Sequence, residues 1–186
     1  VILNQRDPKW AKNGLGTCNP QTTTIGSDGC LITVVSEINN TTPDIVNQKL
    51  TANGGYTSGC LMWLDVKARV QEYKSLVYVS DNFRDVPVPD AVIAKAQSVI
   101  DNGGGIVGQV TLAGGTHFIR IMKFFGNGLH SNAIIHDPWT GEEMAITDKY
   151  GKTAPIALIR LFGYSDVVTR DMTDYSHLVQ NPLHGV

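Results

Sequence analysis

The order of its periodicities assigns this chain to the α+β class, as a domain in two lobes with helices first and strands afterwards. Before residue 105 the apolar residues recur mostly at helical spacing, as in Leu31, Val34, Val35 and Ile38. Beyond it they are β-branched or aromatic and are cut by short turns, the mark of antiparallel strands. Such segregation argues against alternating βαβ units. Length agrees, because 186 residues, 42% hydrophobic and 17% charged, suit one domain with a self-sufficient core. That domain is assigned to residues 1–169, followed by a polar tail or linker at 170–186.

Taken in order, Val1 to Trp10 is a short apolar start running into a polar turn closed by an aromatic. Residues 11–24, rich in Gly, Asn, Thr and Pro without periodicity, read as a loop or covering arm. A buried helix opens at Cys30 and ends at Asn39-Asn40. The next follows at once, with Thr42 as N-cap, Pro43 at the first helical position and Asp44 in the first turn, and stops at Gly54-Gly55. A third is expected between Tyr56 and Tyr73, capped by Ser58, with Leu61, Leu64, Val66 and Val70 as its stripe. Leu76 to Val79 reads as a strand. Another helix follows Pro89, with Val92, Ile93, Ala96, Val99 and Ile100 on one side, and ends at Gly103-Gly104-Gly105. Strands are then expected at 106–112, 117–125, 133–136 and 155–162, as an antiparallel meander.

Composition narrows the function. The formal net charge is −2 and neither sign is clustered, so neither nucleic acid nor an anionic membrane is indicated as partner. No apolar run reaches the roughly eighteen residues of a membrane span, and the N-terminus lacks the pattern of a signal peptide. A soluble chain is expected. It begins at Val1 without a methionine, which fits a trimmed product or part of a larger polypeptide. Three cysteines are too few for a disulfide scaffold and leave one over: Cys18 and Cys60 could pair with Cys30 free, or all could be thiols. His117, His136 and Asp137 lack the spacings of a metal site, so no metal and no cofactor is expected.

Chemistry concentrates at Thr24-Ile25-Gly26-Ser27-Asp28-Gly29-Cys30-Leu31-Ile32-Thr33. Cys30 falls on the first turn of its helix, where unpaired N–H groups and the helix dipole favour a thiolate. Gly29 before it would let a substrate carbonyl approach the backbone. A nucleophilic thiol needs a base, and the base an orienting group, from distant parts of the chain. His117 and Asp137 are the candidates. Strand alternation puts His117, Ile119 and Ile121 on one face and Phe118, Arg120 and Met122 on the other, so that the thiol would meet the sheet across a cleft. Singly, each residue also has an ordinary reading: Cys30 as a small core hydrophobe, His117 as a satisfied strand residue, Asp137-Pro138 as a turn, Gln5 as a surface amide. Trp10, Trp63 and Trp139 read as packing residues, with Trp139 placed to shield a hydrogen bond made by Asp137.

Asn4-Gln5-Arg6-Asp7-Pro8-Lys9-Trp10, the Thr24–Thr33 stretch, Thr42-Pro43-Asp44, Asn53-Gly54-Gly55-Tyr56, Gly115-Thr116-His117-Phe118 and Asp137-Pro138-Trp139 together resemble the papain-like cysteine peptidases of the C39-like kind, in particular the stand-alone bacterial and phage forms. The resemblance runs from residue 4 to about residue 163. It implies a papain-like fold and a thiol peptidase acting on a peptide or protein substrate. Cys30 would be the nucleophile, His117 the base and then the acid, Asp137 the orienter, and Gln5 a donor to the oxyanion. Gln5 lies far ahead of Cys30, and Gln21 is a rival for that role; Thr116 between Gly115 and His117, and His136 before Asp137, depart from the family pattern and either tune the site or are incidental. Two alternatives accompany the peptidase: a muralytic enzyme acting on peptidoglycan peptides, virion-associated or at the cell wall, and an inactive papain-like binding module.

Overall fold

The computed structural model describes residues 1–62, 70, 72–79, 88–112, 115–125, 132–151 and 156–163. Trp63, Leu64, Val66, the boundary at residue 169 and the 170–186 tail lie outside the described residues. Helices α1 (Ile25–Asp28), α2 (Cys30–Ile38) and α3 (Pro43–Ala52) come first, then a hairpin of β1 (Tyr56–Thr57) and β2 (Leu61–Met62). After β3 (Ser75–Val79) and α4 (Asp90–Asp101) the chain forms β4 (Gly105–Leu112), β5 (Gly115–Phe124), β6 (Ala133–Asp137) and β7 (Glu142–Ala145). Helix α5 (Ile146–Tyr150) and β8 (Ile156–Gly163) complete it. The mixed α+β class is therefore observed.

Helix α2 is central because its sequence leaves it no solvent face. All nine of its residues are buried, which a helix of such composition achieves only inside a core. It packs against β5, β4 and α3. The chain leaves it at Asn40, whose φ of 52° turns the backbone away, and α3 starts at once on Pro43, whose missing N–H costs nothing there.

The larger sheet is antiparallel, with strand order β3-β8-β4-β5-β6-β7. Its alternation divides two apolar clusters. Val107 and Phe118 join α2, α3 and the N-terminal arm on one side. Ile106, Val110, Ile119, Ile121 and Ile135 join α4 and α5 on the other. The register pairs Ile106 with Ile121 and Val107 with Arg120, so each face is continuous across strands.

Three expectations are corrected. The 56–73 segment does not open as a helix capped by Ser58: residues 56–62 form the β1–β2 hairpin, with Tyr56 opposite Met62. Ser58 has a φ of 49° and Gly59 one of 87°, a left-handed turn that an extended N-cap residue cannot make. Long-range ties impose it, since Gly59 accepts from the Thr17 N–H at 2.6 Å and Cys60 is bonded to Cys18. The meander is also incomplete, because β8 inserts between β3 and β4, with Val107 opposite Arg160. Finally, the sequence reading misses β7 and α5. The first is a four-residue edge strand with two exposed glutamates and the second spans five residues, too short for either period to show.

One charged residue on α2 ties the two layers together. Glu37 Oε1 accepts the Leu3 N–H at 2.7 Å, and Oε2 accepts from His136 Nδ1 at 2.9 Å and Arg120 Nη1 at 3.3 Å. Pairing of this kind is what a buried carboxylate requires.

The Cys18–Cys60 disulfide, left open by the sequence, spans 42 positions and fastens the arm to the hairpin. Constraining an unfolded loop of that length is worth about 4 kcal/mol. The Cys18→Ser/Cys60→Ser variant is expected to lose most of that in chemical unfolding.

Candidate active site

The site begins at the junction of α1 and α2. Thr24 caps α1 in a capping box with Ser27, and Gly29 hands the chain to α2. A Cβ on Gly29 would stand 2.4 Å from the Ile25 carbonyl oxygen. Glycine is therefore required here by the stacking of two helical turns, a different reason from the open approach expected of it. Cys30 follows at the first position of α2, where its N–H has no intrahelical acceptor. Among the described residues it has no backbone acceptor elsewhere either. The Cys30 side chain is buried and is a free thiol.

β5 brings His117 to this point, on the Ile119 face that alternation indicated. Its Nε2 lies 2.9 Å from Asp137 Oδ1, which leaves Nδ1 as the ring's other polar atom, and the Cys30 sulfur is near enough to support the ring's charge. Burial pulls the imidazole towards neutrality, but the hydrogen bonds to Asp137 and Cys30, with their charges, outweigh it and raise His117 from 6.5 to about 9. The ring is accordingly a cation at neutral pH, donating at both nitrogens.

Asp137, at the end of β6, has no exposed surface. Burial alone would favour its neutral form. Four donors reverse that: His117 Nε2 and the Trp139 N–H at 2.9 Å on Oδ1, and Lys149 Nζ at 2.5 Å and the Tyr150 hydroxyl at 2.6 Å on Oδ2. They hold its carboxyl far below the usual range. In turn, burial and the neighbouring Asp137 push the Tyr150 phenol well above its ordinary value, so it stays a donor.

Gln5 reaches the site through the N-terminal arm. Asn4 Nδ2 donates to the Thr140 carbonyl and the Gln5 N–H to that of Pro138, which lays the arm over the β6–β7 turn. The Gln5 side chain is buried, and its Nε2 donates to the Gly26 carbonyl at 3.1 Å, leaving a second amide hydrogen. Gln21, the rival, is exposed in the arm, its N–H bonded to Asn19 Oδ1. Gln5, Cys30 and His117 all line one cleft of about 420 Å³. His136 belongs elsewhere, on the opposite face with Glu37.

Ser27, Leu112, Gly115, Trp139, Lys149 and Tyr150 complete the cleft wall. Trp139 is 41% exposed, with the Arg6 guanidinium 4.8 Å from its ring centre, so it forms a lip of the cleft. Lys149 and Tyr150 escape the sequence reading because nothing in a short polar helix marks its side chains as turned inward. Chemically, a thiol, an imidazolium and a carboxylate in series can hold or pass one proton at the sulfur, beside two N–H groups with spare capacity.

Two outcomes follow. In NMR titration His117 is expected to lose its proton near pH 9, and in Asp137→Asn at a clearly lower pH, because burial then acts with only Cys30 left to support the charge. Gly29→Ala is expected to cost about 1–3 kcal/mol in chemical unfolding, as the added methyl pushes α1 from α2. In comparisons of the sequence, no family model matches the chain and no curated protein matches it.

Proposed function

We propose that this protein is a cysteine peptidase of papain-like fold that hydrolyses peptide or isopeptide bonds at Cys30, with residues 1–169 as its catalytic domain. The observation that carries the proposal is the series Cys30, His117 and Asp137: His117 is hydrogen bonded to Asp137 at 2.9 Å and shares one cleft with Cys30 at the head of a buried helix. A cysteine serving only the core would need neither a charged imidazole nor a buried anion behind it.

The steps follow from the groups present. His117 holds the Cys30 proton as imidazolium, and the sulfur attacks the substrate carbonyl carbon. Charge develops on the carbonyl oxygen, where the Cys30 N–H and the Gln5 amide can donate. His117 then gives its proton to the leaving nitrogen as the C–N bond breaks, leaving a thioester and a free amine. Water attacks the thioester, its proton passing to His117. The acid departs as the thiol is restored. Asp137 keeps the ring oriented throughout and stabilises its charge.

The Cys18–Cys60 disulfide supports a site of action outside a reducing cytosol, because such bonds persist in oxidising compartments. It also keeps both of those sulfurs out of the chemistry.

Cys30→Ala is expected to abolish turnover of protein and peptide substrates while leaving the unfolding midpoint within a few degrees. Gln5→Ala is expected to lower kcat about a hundredfold and to leave the rate of Cys30 alkylation by iodoacetamide nearly unchanged. Residual activity in Cys30→Ala would refute the mechanism. Purified cell walls, assayed for released amines beside the peptides, separate a muralytic substrate from a protein one. No turnover of either, together with a thiol inert to iodoacetamide at neutral pH, would favour the binding module.

A further inference from the structure

We propose that Lys149, with Tyr150 beside it, is a positioning residue that balances the charge of Asp137 and so frees His117 to serve the sulfur. This inference rests on the peptidase reading and extends it to a residue pair without an assigned role. Its basis is a count of charges in a closed space. In the reactive state the site would hold two anions, the Cys30 thiolate and the Asp137 carboxylate, against one imidazolium shared between them. An uncompensated charge at a fully buried carboxylate is costly.

Lys149 supplies the missing cation. Its Nζ lies 2.5 Å from Asp137 Oδ2, on the oxygen that His117 does not use, and its side chain is 34% exposed. The Tyr150 hydroxyl shares that oxygen at 2.6 Å, and its ring centre is 6.1 Å from that of His117. Each oxygen of the carboxylate therefore takes two donors, and Asp137 can neither rotate away from His117 nor draw the whole imidazolium charge to itself. The remaining groups around Asp137 do not supply this balance. The Trp139 N–H is neutral. Glu142, its partner on β7, and Asp148 on α5 are exposed and carry the wrong sign. Arg6 sits over Trp139, while His136, Arg120 and Glu143 are engaged with or around Glu37 on the other face.

The sign of the effect is fixed. Removing a cation next to the pair makes the imidazolium easier to keep and the thiolate harder to form. Lys149→Gln is expected to move the His117 titration midpoint upward by about one pH unit in NMR. Cys30 alkylation by iodoacetamide in mildly acid solution should slow severalfold, because the thiolate is harder to form. Lys149→Arg, which keeps the charge, is expected to restore both to within threefold of the parent. An unchanged His117 midpoint in Lys149→Gln, or an arginine variant that shifts as far as the glutamine one, overturns the proposal. Lys149→Met, retaining the apolar stem, is the second variant should the glutamine fold poorly. The failure of the peptidase reading is separate: it would be a parent protein whose His117 titrates as expected but whose thiol is inert and which turns over no substrate.

Discussion

The Asp137 carboxylate is the fixed point from which the rest of the site is measured. A charged group with no exposed surface survives only where donors replace its lost water. Here they come from β5, from the turn after β6 and from α5. Removing any one element would leave a buried anion short of partners. The geometry is thus enforced by electrostatic necessity and not by shape alone, and it decides where His117 stands and which of its nitrogens meets the sulfur.

A second carboxylate does the same for the thiol. Cys30 and Glu37 are seven residues apart, two turns of α2, and so share one helix face about 10 Å apart along its axis. Adjacent residues on β6 point to opposite sides of the sheet: His136 meets Glu37 and Asp137 meets His117. One strand therefore addresses both ends of the assembly. The Glu37 cluster stops α2 from rotating or sliding against the sheet, and either motion would carry Cys30 away from the imidazole. Because α2 has no solvent face, its apolar side chains alone would tolerate such slippage more readily than a hydrogen-bonded carboxylate does.

How much of this was legible in the sequence depends on the range of the interaction concerned. The start of α2 at Cys30, the end at Asn39, the proline-led α3 and the faces of β5 follow from local preferences and period, and those stretches read correctly. The grouping of Cys30, His117 and Asp137 was inferred from residue types in a recognisable order, and the fold brings the three side chains together. The hairpin at 56–62 was misread because its Ser58-Gly59 turn is held by Thr17 and Cys18, about forty residues upstream. Strand β8 has an ordinary strand pattern, but pairing partners carry no local signal, so its insertion beside β4 could not be seen. Lys149 and Tyr150 sit in a five-residue helix without periodicity, and only the tertiary structure turns them toward Asp137.

Gln5 is where stability and chemistry part. Its Oε1 is buried and, among the described residues, has no hydrogen-bond partner, a situation that costs about 1–3 kcal/mol. An apolar side chain of similar volume would avoid that loss and would still fill the space beside Gly26. What it could not do is present an N–H to the cleft. The amide is held by Gly26 through one hydrogen, with its neighbouring backbone tied to Pro138, so the second hydrogen is fixed in direction before any ligand arrives. A donor oriented in advance stabilises developing charge without having to reorganise. On the proposed mechanism the unpaired oxygen is the energetic cost of holding that donor, and the N-terminal arm, 25 residues ahead of the thiol in sequence, lines the same cleft in space.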